Sequence, residues 1–497
     1  MTDNKETGKS VNVPLAGFDG LAIAGLTADS RAVSPGYLFA ALPGAKVSGV
    51  DFIAEAVGKG AVAVLAPTGA TLDPALPPVT LIEHAQPRLR FAQMAAEFYG
   101  VQPEAMVAVT GTSGKTSTVS FARQLWKRLG FSAAGIGTLG IESDPINRYG
   151  GLTTADPVGL HADLAALARA GVTRAAMEAS SHGLDQYRLD GVRLRAAGFT
   201  SFGRDHLDYH PTIDSYLAAK QRLFTEVLPP GGVAVLNADI PEFERLKSAA
   251  VAAGRRVLSY GRRGQDIRVD RQTVTPIGRT VLLSVSGAAW EFEFRLPGEF
   301  QLFNALCALG LVVGSEFDDL SAIGGDPRFG LLIGAMSRLT GVRGRLEWVA
   351  TLPNGASVLV DYAHKPDALT AVLAAVRAHA KGRLFVAFGC GGDRDPGKRP
   401  LMGAIAARLA DIVVVTDDNP RSEDPAAIRA AILAGAPGAI EIGDRAEAIA
   451  ATIRALRPGD VFVIAGKGHE QGQIVGDAVR PFDDAAVARA AVAALSP

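Results

Sequence analysis

The chain has 497 residues, too many for one hydrophobic core, and about three domains is the natural division. Its 50 Lys and Arg against 51 Asp and Glu leave a net charge of −1 with no sustained basic block, which argues against nucleic-acid binding. A polar start (MTDNKETGKS), no apolar run able to span a bilayer and only two cysteines, Cys307 and Cys390, point to the reducing cytoplasm, without membrane contact or disulfides.

Along the first hundred residues short strands alternate with helices: GYLFAAL, then FIAEAVGKG, then AVAVLAP. PRLRFAQMAAEFYG reads as a helix closed by Gly100, and VQPEA as a linker, placing a first boundary at 103. From Met106 the order is strand (MVAVT), Gly-rich loop (GTSG) and helix (KTSTVSFARQLWKRLG, ending at Gly130). A helix at LHADLAALARAG follows, then strands at VTRAAME, AAGFTSF and GGVAVLNAD. Such alternation predicts a mostly parallel sheet covered by helices. Between Asp266 and Phe294 it stops, and IRVD, TVLLSVS and WEFEF read as a small antiparallel insert before the helix QLFNALCALGLVVG. After residue 336 a second α/β series begins, with strands SVLVDYAH, RLFVAFGCGG, DIVVVTDDNP and VFVIAGKGHE. The expected fold is therefore α/β in three domains: 1–103, 104–336 with a P-loop, and a Rossmann-like 337–497.

The chemistry concentrates at strand ends. VTGTSGKTS, residues 109–117, carries the Gly-Lys-Thr half of a phosphate loop, but Val109 stands where its first glycine is usual. Gly111 and Gly114 let successive N–H groups face phosphate oxygens, Lys115 reaches the terminal phosphates, and the Thr116 hydroxyl suits Mg²⁺. An accidental glycine turn is the alternative, and the strand–loop–helix order argues against it. Glu178 ends a buried strand, where it either holds Mg²⁺ opposite Thr116 or is simply solvated. Ser180, Ser181 and His182 on the turn that follows favour a site.

In RDHLDYHPTIDSYLAAKQRLF, Asp205, His206, Asp208 and His210 form a dense acid–imidazole cluster. On the next helix Lys220 shares a stripe with Ile213, Tyr216, Leu217 and Phe224. Two fates stay open for it: snorkelling to solvent, or burial as a paired, neutral or modified group. In the last third, DYAHKP, GCGGDRDPGKRP, DDNPRSEDP and GKGHEQ end four strands. An open parallel sheet gathers such ends on one edge, bringing together Asp361, His364, Arg394, Asn419, Arg421 and Glu470. Two arginines among carboxylates suit a ligand with acidic and amino groups.

These residues resemble the Mur ligases, ATP-dependent amide-forming enzymes of peptidoglycan precursor synthesis, over essentially the whole chain. The resemblance rests on LTADSR, GTSGKTS, LTTADP, MEASSHGLDQYR, DHLDYH, the lysine of YLAAKQRLF, DYAHKPDAL, GCGGDRDPGKRPLMG, DDNPR and GKGHE. In that family the loop is usually GTNGKT, so Val109 is regular and Ser113 is the departure. Ser201 and Gly203 replace the family's usual Asn and Ser, and Ser48-Gly49 its frequent Asp-Gly.

The resemblance implies an N-terminal α/β domain for a UDP-sugar, a central ATP domain and a C-terminal domain for the incoming amino acid. It implies addition of meso-diaminopimelate to UDP-N-acetylmuramoyl-L-alanyl-D-glutamate through an acyl phosphate, with ATP and Mg²⁺, by a cytoplasmic monomer. Lys115, Glu178, His206 and Lys220 are then catalytic, and Thr116, Glu178, His206 and Lys220 (as a carbamate) hold metal. ATP meets Gly111, Thr112, Ser113, Gly114, Lys115, Thr116, Ser117, Asn304, Arg345 and Asp361. The UDP-sugar-peptide meets Ser30, Thr153, Thr154, Ser180, Gln186 and Arg188. Diaminopimelate meets Arg394, Asp418, Asn419, Pro420, Arg421, Gly466 and Glu470. The lysine-adding relatives lack Arg421, and lysine has no distal carboxylate to need a guanidinium. DDNPR thus argues against those siblings, and LTTADP and GKGHE against folylpolyglutamate synthase. An ATP-switched binding or motor protein, the rival from another class, has no need of Lys220.

Overall fold

The computed structural model describes residues 13–14, 22–44, 47–150, 152–207, 209–275 and 278–495, so the N-terminal decapeptide and Asp208 lie outside the described residues. Three sheets organise the chain. The first has four parallel strands in sequence order: Gly25–Thr27, Tyr37–Ala40, Ala63–Pro67 and Thr80–His84. Its helix Pro87–Tyr99 packs Phe91, Met94 and Ala95 against Leu38, Leu65 and Ile82.

The central sheet has eleven strands and is built around Ala105–Thr110, which pairs in parallel with Arg174–Glu178 on one side and Leu194–Phe199 on the other. Every residue of Ala105–Thr110 is buried because both faces are covered. Side chains alternate across a strand, so Val107 and Val109 enter one core with Phe121, Trp126 and Leu309. Met106 and Ala108 enter the opposite core with Leu164, Leu184 and Phe224. The helices Lys115–Arg128 and Glu299–Glu316 cover the first face.

The antiparallel strands expected after Asp266 are present, but they are not a separate insert. Ile267–Thr275 pairs in parallel with Arg256–Gly261, and Gly278–Val285 and Ala288–Phe294 continue the same sheet as an antiparallel edge. At the other edge Gly140–Glu142 and Asn147–Arg148 turn back antiparallel, a short pair with no periodicity to betray it.

The third sheet has six strands: antiparallel Glu347–Thr351, then parallel Ser357–Asp361, Val461–Ala465, Leu384–Phe388, Ile412–Val415 and Ile440–Glu441. Four of these strands end in the polar loops singled out above, which therefore share one edge. Beneath that edge Arg445 and Asp484, both with fully buried side chains, pair at 2.7 Å. Arg445 also donates to the backbone oxygen of Ala465 at 2.9 Å, tying the last helix to the strand that carries GKGHE. Cys307 and Cys390 are buried and free. Among the described residues no helix is long and apolar enough to cross a membrane.

Candidate active site

The loop Gly111–Gly114 leaves the strand Ala105–Thr110 and caps the helix Lys115–Arg128. Gly111 and Gly114 have φ of 144° and 92°, in the left-handed half of the map. A Cβ on Gly114 would stand 2.2 Å from the Asn304 Oδ1, so the loop needs glycine for contact as well as conformation. Ser113 and Ser201, two departures from the resembled motif, bond each other. The Ser113 N–H donates to Ser201 Oγ and that hydroxyl to the Ser113 carbonyl, both at 3.1 Å. Gly203 exchanges hydrogen bonds with the Thr112 hydroxyl. Thus the strand end after Phe199 clamps the loop from the side.

Lys115 and Lys220 both donate to the Gly111 carbonyl, at 2.8 and 2.9 Å. Lys220 is 1% exposed, its ammonium 4.5 Å from the Tyr216 ring, so it does not snorkel. Burial pushes the Lys115 amine down to about 8, and burial together with the nearby Lys115 charge holds Lys220 well below the ordinary lysine range. The stripe that predicted this is real for Tyr216 and Leu217, but Ile213 is 42% exposed. Ile213 is the first helical residue after the Thr212 capping box, and the first turn overhangs the core. Phe224 is buried from the π-helical turn Leu223–Val227 that follows.

Around Tyr216 stand His182, His206, Tyr209 and His210, in ring contact with one another. His206 has φ 51°, and burial pushes its imidazole down to about 4, leaving it neutral at pH 7. The Lys365 ammonium, at the N-cap of the helix that follows the third-sheet strand Ser357–Asp361, pairs with Asp205 beside it.

Glu178 is 2% exposed and accepts from the Thr138 N–H at 2.9 Å and its hydroxyl at 3.2 Å. A Cβ on Gly137 would lie 2.3 Å from Glu178 Oε1, so the carboxylate occupies a niche that only glycine opens. Among the described residues no three His, Cys, Asp or Glu converge on a cation position. A carboxylate and a hydroxyl near a phosphate loop nevertheless fit Mg²⁺, which takes one or two protein oxygens and completes its shell from phosphates and water.

The segment that leads into the third sheet reaches this loop directly. Arg345 donates to the Thr116 hydroxyl at 3.2 Å and lies over the Tyr362 ring. Asp361, 7% exposed, accepts from the Leu346 N–H at 2.6 Å, and burial pushes its carboxyl up to about 6. Asn304 hangs its carbonyl on Thr118 and its side chain on Gln301. The candidate nucleotide residues therefore converge.

The candidate UDP-sugar residues form a second web. The Thr154 hydroxyl donates to the Glu178 carbonyl at 3.0 Å and accepts from the Ser180 N–H and hydroxyl. Thr153 meets Thr138 at 3.1 Å, and Arg188 grips the Thr154 carbonyl and the Gln186 side chain. Gln186 and Arg188 line an open cavity of 510 Å³ whose far wall is Leu26–Asp29, Arg88 and Phe91. Ser30 stands apart, donating to Glu55 at 2.9 Å rather than lining that cavity.

The candidate amino-acid residues form a third cluster. Arg421, with φ 50°, donates to the Gly392 carbonyl at 2.8 Å and flanks Gly391 together with Arg394. Asn419 donates to Glu470 at 2.9 Å, and Asp418 packs beside Gly466. Pro420 lies over Gly392, where its carbonyl leaves no space for a Cβ. Arg394 projects outward, its only hydrogen bond among the described residues being to the Asp393 carbonyl. The Tyr149 hydroxyl donates to the His469 carbonyl at 3.0 Å, bringing this cluster to the segment that leads to Thr153.

Residues 22–99 match the family described as "Mur ligase family, catalytic domain", residues 109–312 the "Mur ligase middle domain", and residues 344–468 the "Mur ligase, glutamate ligase domain". This chain belongs to the Mur ligase family. It is 51% identical over 475 residues to the UDP-N-acetylmuramoyl-L-alanyl-D-glutamate–2,6-diaminopimelate ligase of Rhizobium meliloti (strain 1021), covering 96% of this chain and 95% of that one. The enzyme of the same name from Brucella melitensis biotype 1 is 52% identical over 472 residues, 95% of this chain and 94% of its own. A solved structure of a ligase of that name superposes with a TM-score of 0.69 at 34% identity, covering 95% of both chains.

Three residues of this Mur ligase escaped the reading of its sequence. Thr138 has no signal, being a threonine past a short strand. Lys365 and Lys467 stood in quoted motifs, DYAHKP and GKGHE, yet only their neighbours drew attention. A lysine between two glycines at a buried strand end is the signal that identifies Lys467.

Proposed function

We propose that this Mur ligase joins meso-2,6-diaminopimelate to UDP-N-acetylmuramoyl-L-alanyl-D-glutamate with ATP, releasing ADP and phosphate, as a monomer in cytoplasmic peptidoglycan precursor synthesis. The observation that carries the choice of amino acid is the third cluster, where Arg421 and Arg394 flank Gly391 and Glu470 is bonded to Asn419. Guanidinium and carboxylate together suit an amino-acid group at the far end of the incoming amine.

In this reading the Gly111–Ser117 backbone cradles the ATP phosphates, with Asn304, Arg345 and Asp361 as further contacts to the nucleotide. The D-glutamyl carboxylate attacks the γ-phosphate, and the amine of diaminopimelate then displaces phosphate from the acyl phosphate through a tetrahedral intermediate. Two anions must meet in the first step, so fixed cations have to screen them. Lys115 supplies one charge. Thr116 and Glu178 would hold one Mg²⁺, and His206 with Lys220 a second; such ions neutralise charge developing on phosphoryl oxygens.

Lys220 is suited to that place only when changed. A neutral buried amine can take up CO₂, losing a proton to become a carbamate, which offers oxygens where an ammonium would repel. Thr153, Thr154, Ser180, Gln186 and Arg188 line up the acceptor peptide, with the sugar nucleotide in the 510 Å³ cavity. The test is phosphate release from ATP with UDP-muramoyl-dipeptide present. The reading expects release to depend on added diaminopimelate, and release indifferent to it would refute ligase chemistry of this kind.

A further inference from the structure

Between Gly466, φ 114°, and Gly468, φ 55°, the chain turns Lys467 inward. The turn is held tightly, since a Cβ on Gly468 would meet Tyr362 Cβ at 2.7 Å. The Lys467 side chain is fully buried, and its ammonium donates to Asn419 Oδ1 at 2.9 Å and Glu470 Oε2 at 3.1 Å. Asn419 Oδ1 also accepts from the Ile474 N–H at 3.0 Å. Two donors on one oxygen settle the amide's orientation, because a flip would set NH₂ against both. The Asn419 Nδ2 is therefore left to donate to Glu470 Oε2, at 2.9 Å. Both bonds to Glu470 fall on the same oxygen, and Oε1 takes none from the described residues. The Glu470 side chain remains 32% exposed.

We propose that Lys467 is a positioning residue for the amino-acid substrate: through Asn419 and Glu470 Oε2 it turns Glu470 Oε1 outward to accept the substrate's distal ammonium. The inference rests on the reading of the amino acid given above, and adds that a buried lysine, not Glu470 alone, sets discrimination for the distal amine. Donation runs from the Lys467 ammonium to the amide oxygen and from the amide nitrogen to Glu470 Oε2, and the carboxylate's other oxygen is left to accept from the ligand's ammonium. Without Lys467 the amide keeps only the Ile474 N–H on its oxygen and Glu470 Oε2 loses its charged donor, so the carboxylate is free to rotate, while the guanidinium contacts of Arg394 and Arg421 persist.

The test compares meso-diaminopimelate with 2-aminopimelate, which lacks only the distal amine. Wild type should favour meso-diaminopimelate. In Lys467→Met its KM should rise about tenfold or more, the cost of a misplaced charge-assisted hydrogen bond. The KM values for ATP and the UDP-dipeptide should hold within about twofold, and the preference over 2-aminopimelate should shrink about as much as the KM rises. A Glu470→Gln background should abolish that effect of Lys467→Met. Lys467→Gln keeps a donor on a shorter neutral chain, should retain part of the preference, and decides the matter if the Met variant does not fold. Equal losses on both amino acids, or an unchanged preference in both variants, overturn the inference. A wild type that does not use meso-diaminopimelate at all overturns the functional reading instead.

Discussion

Replacing Gly137 by Ala adds one methyl at a residue given no contact with substrate or metal, yet it should disable the enzyme. The added Cβ would lie 2.3 Å from Glu178 Oε1 and 2.5 Å from its Cγ. Carbon and oxygen need more than 3 Å, so the carboxylate must move about 1 Å or leave its niche. Leaving sacrifices both bonds from Thr138, at 2.9 and 3.2 Å, in a site where Glu178 is 2% exposed. Losing a buried carboxylate's partners costs about 1–3 kcal/mol of stability. A displacement of about 1 Å in a positioned catalytic group costs about 100-fold in rate. Gly135→Ala, in the same strand, is the control: its Cβ meets only Val119 Cγ1, at 3.1 Å, among its close neighbours. Phosphate release in the complete assay, with denaturant unfolding alongside, measures both effects. Gly137→Ala at wild-type kcat would refute the role given to Glu178, as would Gly135→Ala losing as much as Gly137→Ala.

Arg421→Ala should raise the KM for diaminopimelate about 10- to 100-fold, the worth of a lost charge-assisted contact, while the ATP KM stays level; equal losses in both would remove its role. The profile of kcat/KM for ATP against pH should be bell-shaped. Asp361, raised by burial to about 6, is ionised only above that pH, and Lys115, lowered by burial to about 8, is charged only below it, so activity falls on either side. A flat profile from pH 5 to 9 would contradict both assignments. Lys220→Met should abolish turnover but leave the fold intact, and wild type under ¹³CO₂ should show a carbamate carbon by NMR that the variant lacks. Asp484→Asn, at a residue given no ligand contact, should cost about 3–5 kcal/mol in denaturant unfolding, because it strands the buried Arg445 guanidinium.

Periodicity and loop chemistry made the frame legible, since parallel strands buried on both faces read as unbroken apolar runs and their glycine-rich ends mark one edge. Lys220 was legible as an oddity because an ammonium on an apolar stripe conflicts with its neighbours, but burial rather than snorkelling depends on packing against the Gly111 loop. The antiparallel strands after Asp266 were legible, though not their sheet: pairing is non-local and leaves no mark within either strand. Ser113 and Ser201 read as two unrelated departures, since 88 residues separate partners that meet across a hydrogen bond. Gly137 and Thr138 were invisible for the same reason. Their importance lies in the volume they leave and the donors they offer to Glu178, which no local pattern encodes.

The most direct measurement is an amino-acid panel with purified enzyme, ATP and UDP-N-acetylmuramoyl-L-alanyl-D-glutamate, scored by phosphate release and product mass. The account predicts turnover with meso-diaminopimelate, little with 2-aminopimelate, and still less with lysine, which lacks the carboxylate that Arg421 would bind. Turnover with lysine equal to that with meso-diaminopimelate, or release without any amino acid, would contradict it.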